Sequence, residues 1–313
     1  NTFYAPDLDM VYRMGDRTMV ENPDFYNGEP VWVTAKKSGL VTASMFWVGS
    51  EAPVMGIQPD YWSKYDGSVP YTARIDSVIN WLSLPAADRP RFITLYFDEP
   101  DGISHDFGPA SHQTDSVVQY LDGIIGNLRD RIDELHVGRR VNLVVLSDHG
   151  MGEIDKGRVV NLWEIIPDRY LENYYGGNPV YQVDAVDLYI DSLMSIVDNT
   201  PGIKGWKKDD LPAHYHYGTN PRIPDIVVEA DSSWSIVWAP RQGYIMRGKG
   251  AHGYDPANSD MHSIFYAVGP SFRKGYISPS FNNVDVYNII CAILRIDPAP
   301  NDGDAAIIGH LLK

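Results

Sequence analysis

Residues 92–109 read FITLYFDEPDGISHDFGP, and the fold is decided here. Phe92, Ile93, Leu95, Tyr96 and Phe97 form an apolar, aromatic run of the length of a buried strand. Hydrophobicity then stops, and Asp98, Glu99, Asp101, His105 and Asp106 follow among Pro100, Gly102, Gly108 and Pro109. In an open α/β sheet, ligands bind on the loops at the carboxyl ends of the strands. On such a loop a carboxylate and an imidazole four residues apart can turn inward onto one cation. Alone, the stretch reads equally as a polar turn that contains a histidine.

Working outward, a second junction of the same kind occurs at 141–151. Val141, Leu143, Val144, Val145 and Leu146 make another apolar run, and Ser147-Asp148-His149-Gly150-Met151 follows at once. Adjacent Asp148 and His149 face one ligand only if the strand is already turning, a freedom expected from Gly150. A third imidazole, His252, stands in Gly250-Ala251-His252-Gly253-Tyr254-Asp255, between glycines that allow close backbone approach to a ligand. Carboxylate and imidazole donors without thiolate suit catalytic rather than structural Zn²⁺. Asp101, His105, Asp148, His149 and His252 exceed what one zinc takes, so two metals are expected.

The remaining chain alternates strands and helices. A short helix is expected over 31–37, a strand over 40–48, a helix over 74–82 and the longest helix over 114–135. That last helix carries Val117, Val118, Leu121, Ile124, Ile125, Leu128, Ile132 and Leu135 on one face. A last core strand is expected at 264–268 and a closing helix at 284–294. Residues 1–28, broken by Pro6, Gly15, Pro23 and Gly28, read as an extended surface segment. The alternation implies an α/β fold with a mostly parallel central sheet flanked by helices. From 153 to 241 the pattern loosens into short alternations, as at 180–190 and 226–237. One catalytic domain is therefore expected, with its core in 1–152 and 242–313 and an inserted α+β lobe over about 153–241.

The 313 residues are 44% hydrophobic, enough for one large core. A formal charge of −15 disfavours a binder of nucleic-acid duplexes, and no basic patch is present. An acidic protein acting on an anionic substrate must neutralise that charge locally, which bound metal does. The single Cys291, in an apolar run, reads as a small buried hydrophobe. No apolar run is long enough to span a bilayer and no targeting segment is visible. Trp62, Tyr61 and Tyr65, between Pro59 and Gly67, form an aromatic-rich loop. Such a loop is a stacking surface for a planar ligand or a hydrophobic latch, and residue types alone favour the latch.

With these loops in hand, the chain resembles the nucleotide pyrophosphatase/phosphodiesterase family of the alkaline phosphatase superfamily. FDEPDGISHDFGP, LVVLSDHGM and GAHGYDP…MHSIFYAVGPSF carry the resemblance, supported by GEPVWVTAKKSGL, FWVGSEAPVMGIQPDYWSKYDGSVP, LPAHYHYGTNPRIPDIVVEAD and PAPNDGDAAIIGHLLK. It extends over essentially the whole chain and implies an alkaline-phosphatase-like fold with two Zn²⁺. By resemblance, Asp101, His105 and His252 ligate one zinc and Asp148 and His149 the second. The family's other ligands of that second zinc are an Asp and a nucleophilic Thr, which lie before the Asn matched by Asn1. No counterpart of either occurs in this sequence, so it resembles a family member cut just after its nucleophile. The missing N-terminal segment is then an expected partner, and the piece alone is expected to be inactive. Asn1 matches the family Asn that donates an amide N–H to a phosphoryl oxygen, although as a terminus it also reads as frayed.

The chemistry implied is zinc-dependent hydrolysis of phosphodiester or pyrophosphate bonds of nucleotides, releasing nucleoside 5′-monophosphates. The Thr attacks phosphorus with support from the zinc of Asp148 and His149. The zinc of Asp101, His105 and His252 supports the leaving group and then activates water. Tyr65, in KYDGSVP, resembles the family's base-stacking aromatic. A phosphodiesterase for choline-containing lipids or metabolites is the alternative within the family, and a non-catalytic metal-binding protein the alternative outside it. By the same likeness the compartment is periplasmic or extracellular.

Overall fold

Thr42–Met45 is buried at all four positions because strands pair with both of its edges. Tyr61–Ser63 runs parallel on one side, with Ala43 opposite Tyr61, and Phe92–Leu95 runs parallel on the other, with Thr42 opposite Phe92. Parallel neighbours need a crossover, and the helix Tyr71–Ser83 lies between those two outer strands in sequence. This is a mixed α/β fold. The structure is a computed structural model, and it describes every residue except Asn1, Arg241, Gln242 and Ile245.

The described chain forms two compact units. One comprises 15–98, 119–148 and 265–313, and the other comprises 99–118, 149–264 and the residues up to Met14. In the first, Ile75, Val78 and Leu82 of the helix Tyr71–Ser83 pack with Ile124, Leu128 and Ile132 of the helix His112–Glu134. Ile93, Leu95, Phe97 and Leu143 lie against this cluster, so helices and strands share one core. The strand Leu143–Leu146 pairs antiparallel with Phe265–Val268. Among the described residues it has no second strand neighbour, and neither has Phe92–Leu95 beyond Thr42–Met45.

In the other unit, four antiparallel strands stand in the order Ile203–Lys207, Ile226–Ala230, Val180–Ala185 and Leu171–Gly177. The helix Ile190–Asp198 buries Leu193 and Val197 into the same cluster as Val183, Ile226 and Val228. Among the described residues, no helix is long and apolar enough to cross a membrane.

Three local expectations are corrected. Residues 1–28 are not an extended surface segment. Thr2–Ala5 pairs with Met10–Arg13, a helix spans Arg17–Val20, and Tyr12, Val20 and Phe25 are buried. Asp16 and Asn22 cap the turns that follow, accepting from the N–H groups of Thr18 and Asp24. The strand expected over 40–48 is confined to Thr42–Met45, because Phe46 turns into the left-handed region at φ 67°. Val118 is 49% exposed, since the buried stripe through Leu121, Ile124, Leu128 and Ile132 continues toward the helix start through half-buried Val117 and buried Thr114, which leaves Val118 off the face. Cys291 is buried as expected, and burial pushes its thiol up to about 11.

Leu128→Ala should therefore cost about 2–5 kcal/mol, and Val118→Ala less than about 0.5 kcal/mol. Urea unfolding of the two variants followed by circular dichroism checks the difference.

Candidate metal centre

The polar stretch after Phe97 is a helix rather than the expected loop. Asp101–Phe107 is helical, Glu99 accepts from the otherwise orphan N–H of Ile103, and Gly108 ends the helix at φ 93°. Helical spacing puts residues four apart on one face, which brings His105 Nε2 to 3.3 Å from Asp101 Oδ1. The ring of His105 is set by its other nitrogen, since Nδ1–H donates to the carbonyl of Gly250 at 2.8 Å. The backbone N–H of Lys249 in turn donates to the carbonyl of His105 at 2.8 Å. This clamp leaves no room for a side chain at position 250, where a Cβ would stand 2.4 Å from the carbonyl oxygen of Ser104.

His252 follows immediately on the strand Gly250–Ala251, with Nε2 3.5 Å from Asp101 Oδ1. The ligand atoms of Asp101, His105 and His252 all lie within 4.8 Å of one another. Oδ1 of Asp101 is shut off from water and makes no hydrogen bond. A buried carboxylate oxygen without a donor is costly, and a cation would relieve that cost. Two ligand atoms each about 2.0–2.1 Å from a tetrahedral ion stand about 3.3–3.4 Å apart. The two spacings from Asp101 match that edge. The neighbouring His105 imidazole holds the Asp101 carboxyl below its usual range against the opposing effect of burial. Asp101 in turn raises the His105 pKa.

His149 joins this group differently. Its ring stacks on that of His252, centroids 3.5 Å apart and planes within 7°, and its Nδ1–H donates to the Gly150 carbonyl at 2.8 Å. Gly150 serves packing more than turning: its N–H donates to Met261, and a Cβ would come within 2.1 Å of the Asp260 carbonyl. Asp148, two residues beyond the strand Leu143–Leu146, is exposed and closes the segment 119–148 of the first unit. Tyr65, also of that unit, is 37% exposed and meets the rings of Phe46 and Tyr96 edge-on at 5.4 and 6.2 Å. Asn1 lies outside the described residues.

Glu229 was not singled out in the sequence. It is buried in the strand Ile226–Ala230 and accepts from the backbone N–H of Asp255 and from the hydroxyl of Tyr215. It thereby anchors the turn that follows His252, and burial raises its carboxyl pKa. The legible signal was an acid inside Ile-Val-Val-Glu-Ala, where each neighbour is buried. His214 pairs with Asp255 at 2.9 Å.

Residues 1–255 match the family model described as type I phosphodiesterase/nucleotide pyrophosphatase. The chain belongs to that family. It is 35% identical over its full length to human ectonucleotide pyrophosphatase/phosphodiesterase family member 1, of which it covers 35%. It is 36% identical to the venom phosphodiesterase CdcPDE of Crotalus durissus collilineatus, of which it covers 38%. The chain thus spans little more than a third of the length of these relatives. Among solved structures, murine ectonucleotide pyrophosphatase/phosphodiesterase 5 superposes with a TM-score of 0.90 at 28% identity, over 99% of this chain and 82% of that one. The family is one of hydrolases of the alkaline phosphatase superfamily.

His252→Ala should weaken zinc binding at least tenfold while the circular dichroism spectrum stays unchanged. Gly250→Ala should do the same through the Ser104 carbonyl, without removing a ligand atom. Competition with a chromogenic chelator measures both.

Proposed function

We propose that this phosphodiesterase hydrolyses phosphodiester or pyrophosphate bonds of nucleotides and releases nucleoside 5′-monophosphates. The observation that carries the reading is the convergence of Asp101, His105 and His252 on one point, in a chain of this family. An inactive form of murine ectonucleotide pyrophosphatase/phosphodiesterase 5 has been solved in complex with AMP, a ligand of the class proposed here.

In this reading Asp101, His105 and His252 hold one zinc, and Asp148 and His149 contribute to a second. Zinc bound there would supply Lewis acidity toward phosphoryl oxygens and lower the pKa of an attacking hydroxyl or water. The protein's own part is orientation. The Gly250 carbonyl keeps the His105 proton on Nδ1, so Nε2 presents a lone pair. Glu229 fixes the backbone just after His252. In this reading the nucleophile is the family's Thr, which these 313 residues do not supply, and Asn1 donates to a phosphoryl oxygen. The fold inferred is a mostly parallel central sheet flanked by helices, within one catalytic domain whose inserted lobe covers about 153–241. The compartment inferred is extracellular or periplasmic.

Zinc and nucleophile see only the phosphoryl group, so recognition of the nucleotide is assigned to Tyr65. Stacking of a base on an aromatic ring is worth about 1–3 kcal/mol, or about ten- to a hundredfold. In the full-length enzyme, Tyr65→Ala should lower kcat/KM by about that factor on a p-nitrophenyl ester of a nucleoside 5′-monophosphate. Bis-p-nitrophenyl phosphate, which carries no base, should be hydrolysed nearly as before. Equal losses on both esters would remove Tyr65 from base recognition.

A further inference from the structure

We infer that Arg74 is a positioning residue for nucleotide recognition, holding the ring of Tyr65 through Phe46 and Tyr96. The inference rests on the proposed role of Tyr65 as the base-stacking residue.

Arg74 stands in the first turn of the helix Tyr71–Ser83, and its side chain is wholly buried. A buried guanidinium is expensive unless it is paired, and here its partners identify its work. Nε donates to the carbonyl of Val69 at 3.1 Å, which fixes the end of the loop that carries Tyr65. Nη1 donates to the carbonyl of Tyr96 and to Asp98 Oδ1, both at 2.9 Å. Its Cζ also lies over two rings, 4.7 Å from the centroid of Tyr71 and 5.1 Å from that of Phe46. Nη2 is buried without a hydrogen-bond partner.

Both aromatic neighbours of the Tyr65 ring therefore lead back to one cation. Phe46 meets Tyr65 edge-on at 5.4 Å and presents its face to Arg74. Tyr96 meets Tyr65 at 6.2 Å, and its carbonyl is held by Arg74. Phe46 sits at φ 67° while almost fully buried. A bulky residue in the left-handed region is strained, and such strain persists where the surroundings over-determine the conformation, often at binding sites. At Phe46 the strain delivers a ring between guanidinium and tyrosine. A leucine in place of Arg74 would fill the space more cheaply, but it could not bind two carbonyls and a carboxylate and accept two aromatic faces. Lysine keeps the charge but has neither the planar fork nor the stacking face.

The test uses the full-length, zinc-loaded enzyme with Arg74→Lys and Phe46→Leu, each alone and combined with Tyr65→Ala. Readouts are the Kd of AMP by calorimetry, and kcat and KM on the nucleotide ester and on bis-p-nitrophenyl phosphate. Each single variant should raise the AMP Kd and the nucleotide-ester KM about five- to tenfold, a part of the full stacking effect. Their kcat values should change less than about twofold, and kinetics on the base-free ester should stay unchanged. In the Tyr65→Ala background the same substitutions should cost less than about twofold, because the ring they position is gone. If Arg74→Lys fails to fold, Phe46→Leu carries the same expectations. Equal losses on both esters, or full losses in the Tyr65→Ala background, would overturn the inference alone. A Tyr65→Ala enzyme without nucleotide-selective loss would overturn the stacking role and this inference with it.

Discussion

The candidate metal centre depends on the clamp between the short helix Asp101–Phe107 and the strand Gly250–Ala251. Two hydrogen bonds make it: His105 Nδ1 to the Gly250 carbonyl, and the Lys249 N–H to the His105 carbonyl. Ligands nearly 150 residues apart in sequence must be registered to within tenths of an ångström for one cation, and side-chain packing alone rarely fixes that tolerance. Backbone hydrogen bonds do, because each has a narrow distance and a direction. The same bond that locates the helix also selects the imidazole tautomer, so placement and protonation are set together. A glycine at 250 is the steric condition for this, since any Cβ would push against the Ser104 carbonyl.

Much of this was legible in the sequence. Asp101 and His105 were found because polar, ligating side chains interrupt a hydrophobic strand, and His252 because glycines flank it. The helix 31–37 followed from its flanking residues, and the closing helix expected at 284–294 is α-helical over Val286–Leu294. Three things were not legible. The helix at 101–107 was hidden because Asp-Gly-Ile-Ser-His-Asp-Phe is polar, glycine-containing and flanked by proline; what forms it is the Glu99 cap and the clamp to Gly250, both tertiary. The burial of Tyr12, Val20 and Phe25 was hidden because their segment has no regular period and is capped turn by turn. Arg74 was not singled out beyond opening the expected helix 74–82, and nothing local to it announces that Phe46 and Tyr96 come to meet it.

Arg74 and Asp101 show two ways of handling a buried polar atom. The guanidinium has its charge answered inside the protein, by one carboxylate, two carbonyls and two ring faces, so it serves as a fixed post. Asp101 presents a shielded oxygen with two imidazole nitrogens about one tetrahedral edge away, an arrangement that could hold a cation. In a chain of net charge −15, anionic substrate would otherwise meet a repulsive surface. In the proposed site, a metal held by one carboxylate and two neutral imidazoles would keep a net positive charge and so supply local neutralisation.

The two sets of residues also belong to separate cores. The cluster at Asp101, His105 and His252 is carried by the unit whose packing centres on Val183, Leu193, Ile226 and Ile236. Tyr65, Phe46 and Arg74 belong to the unit whose packing includes Ile75, Val78, Ile124 and Leu128. In the proposed reading, the phosphoryl-facing ligands and the base-facing ring are thus each held by a different core, so the packing that fixes one set is not the packing that fixes the other.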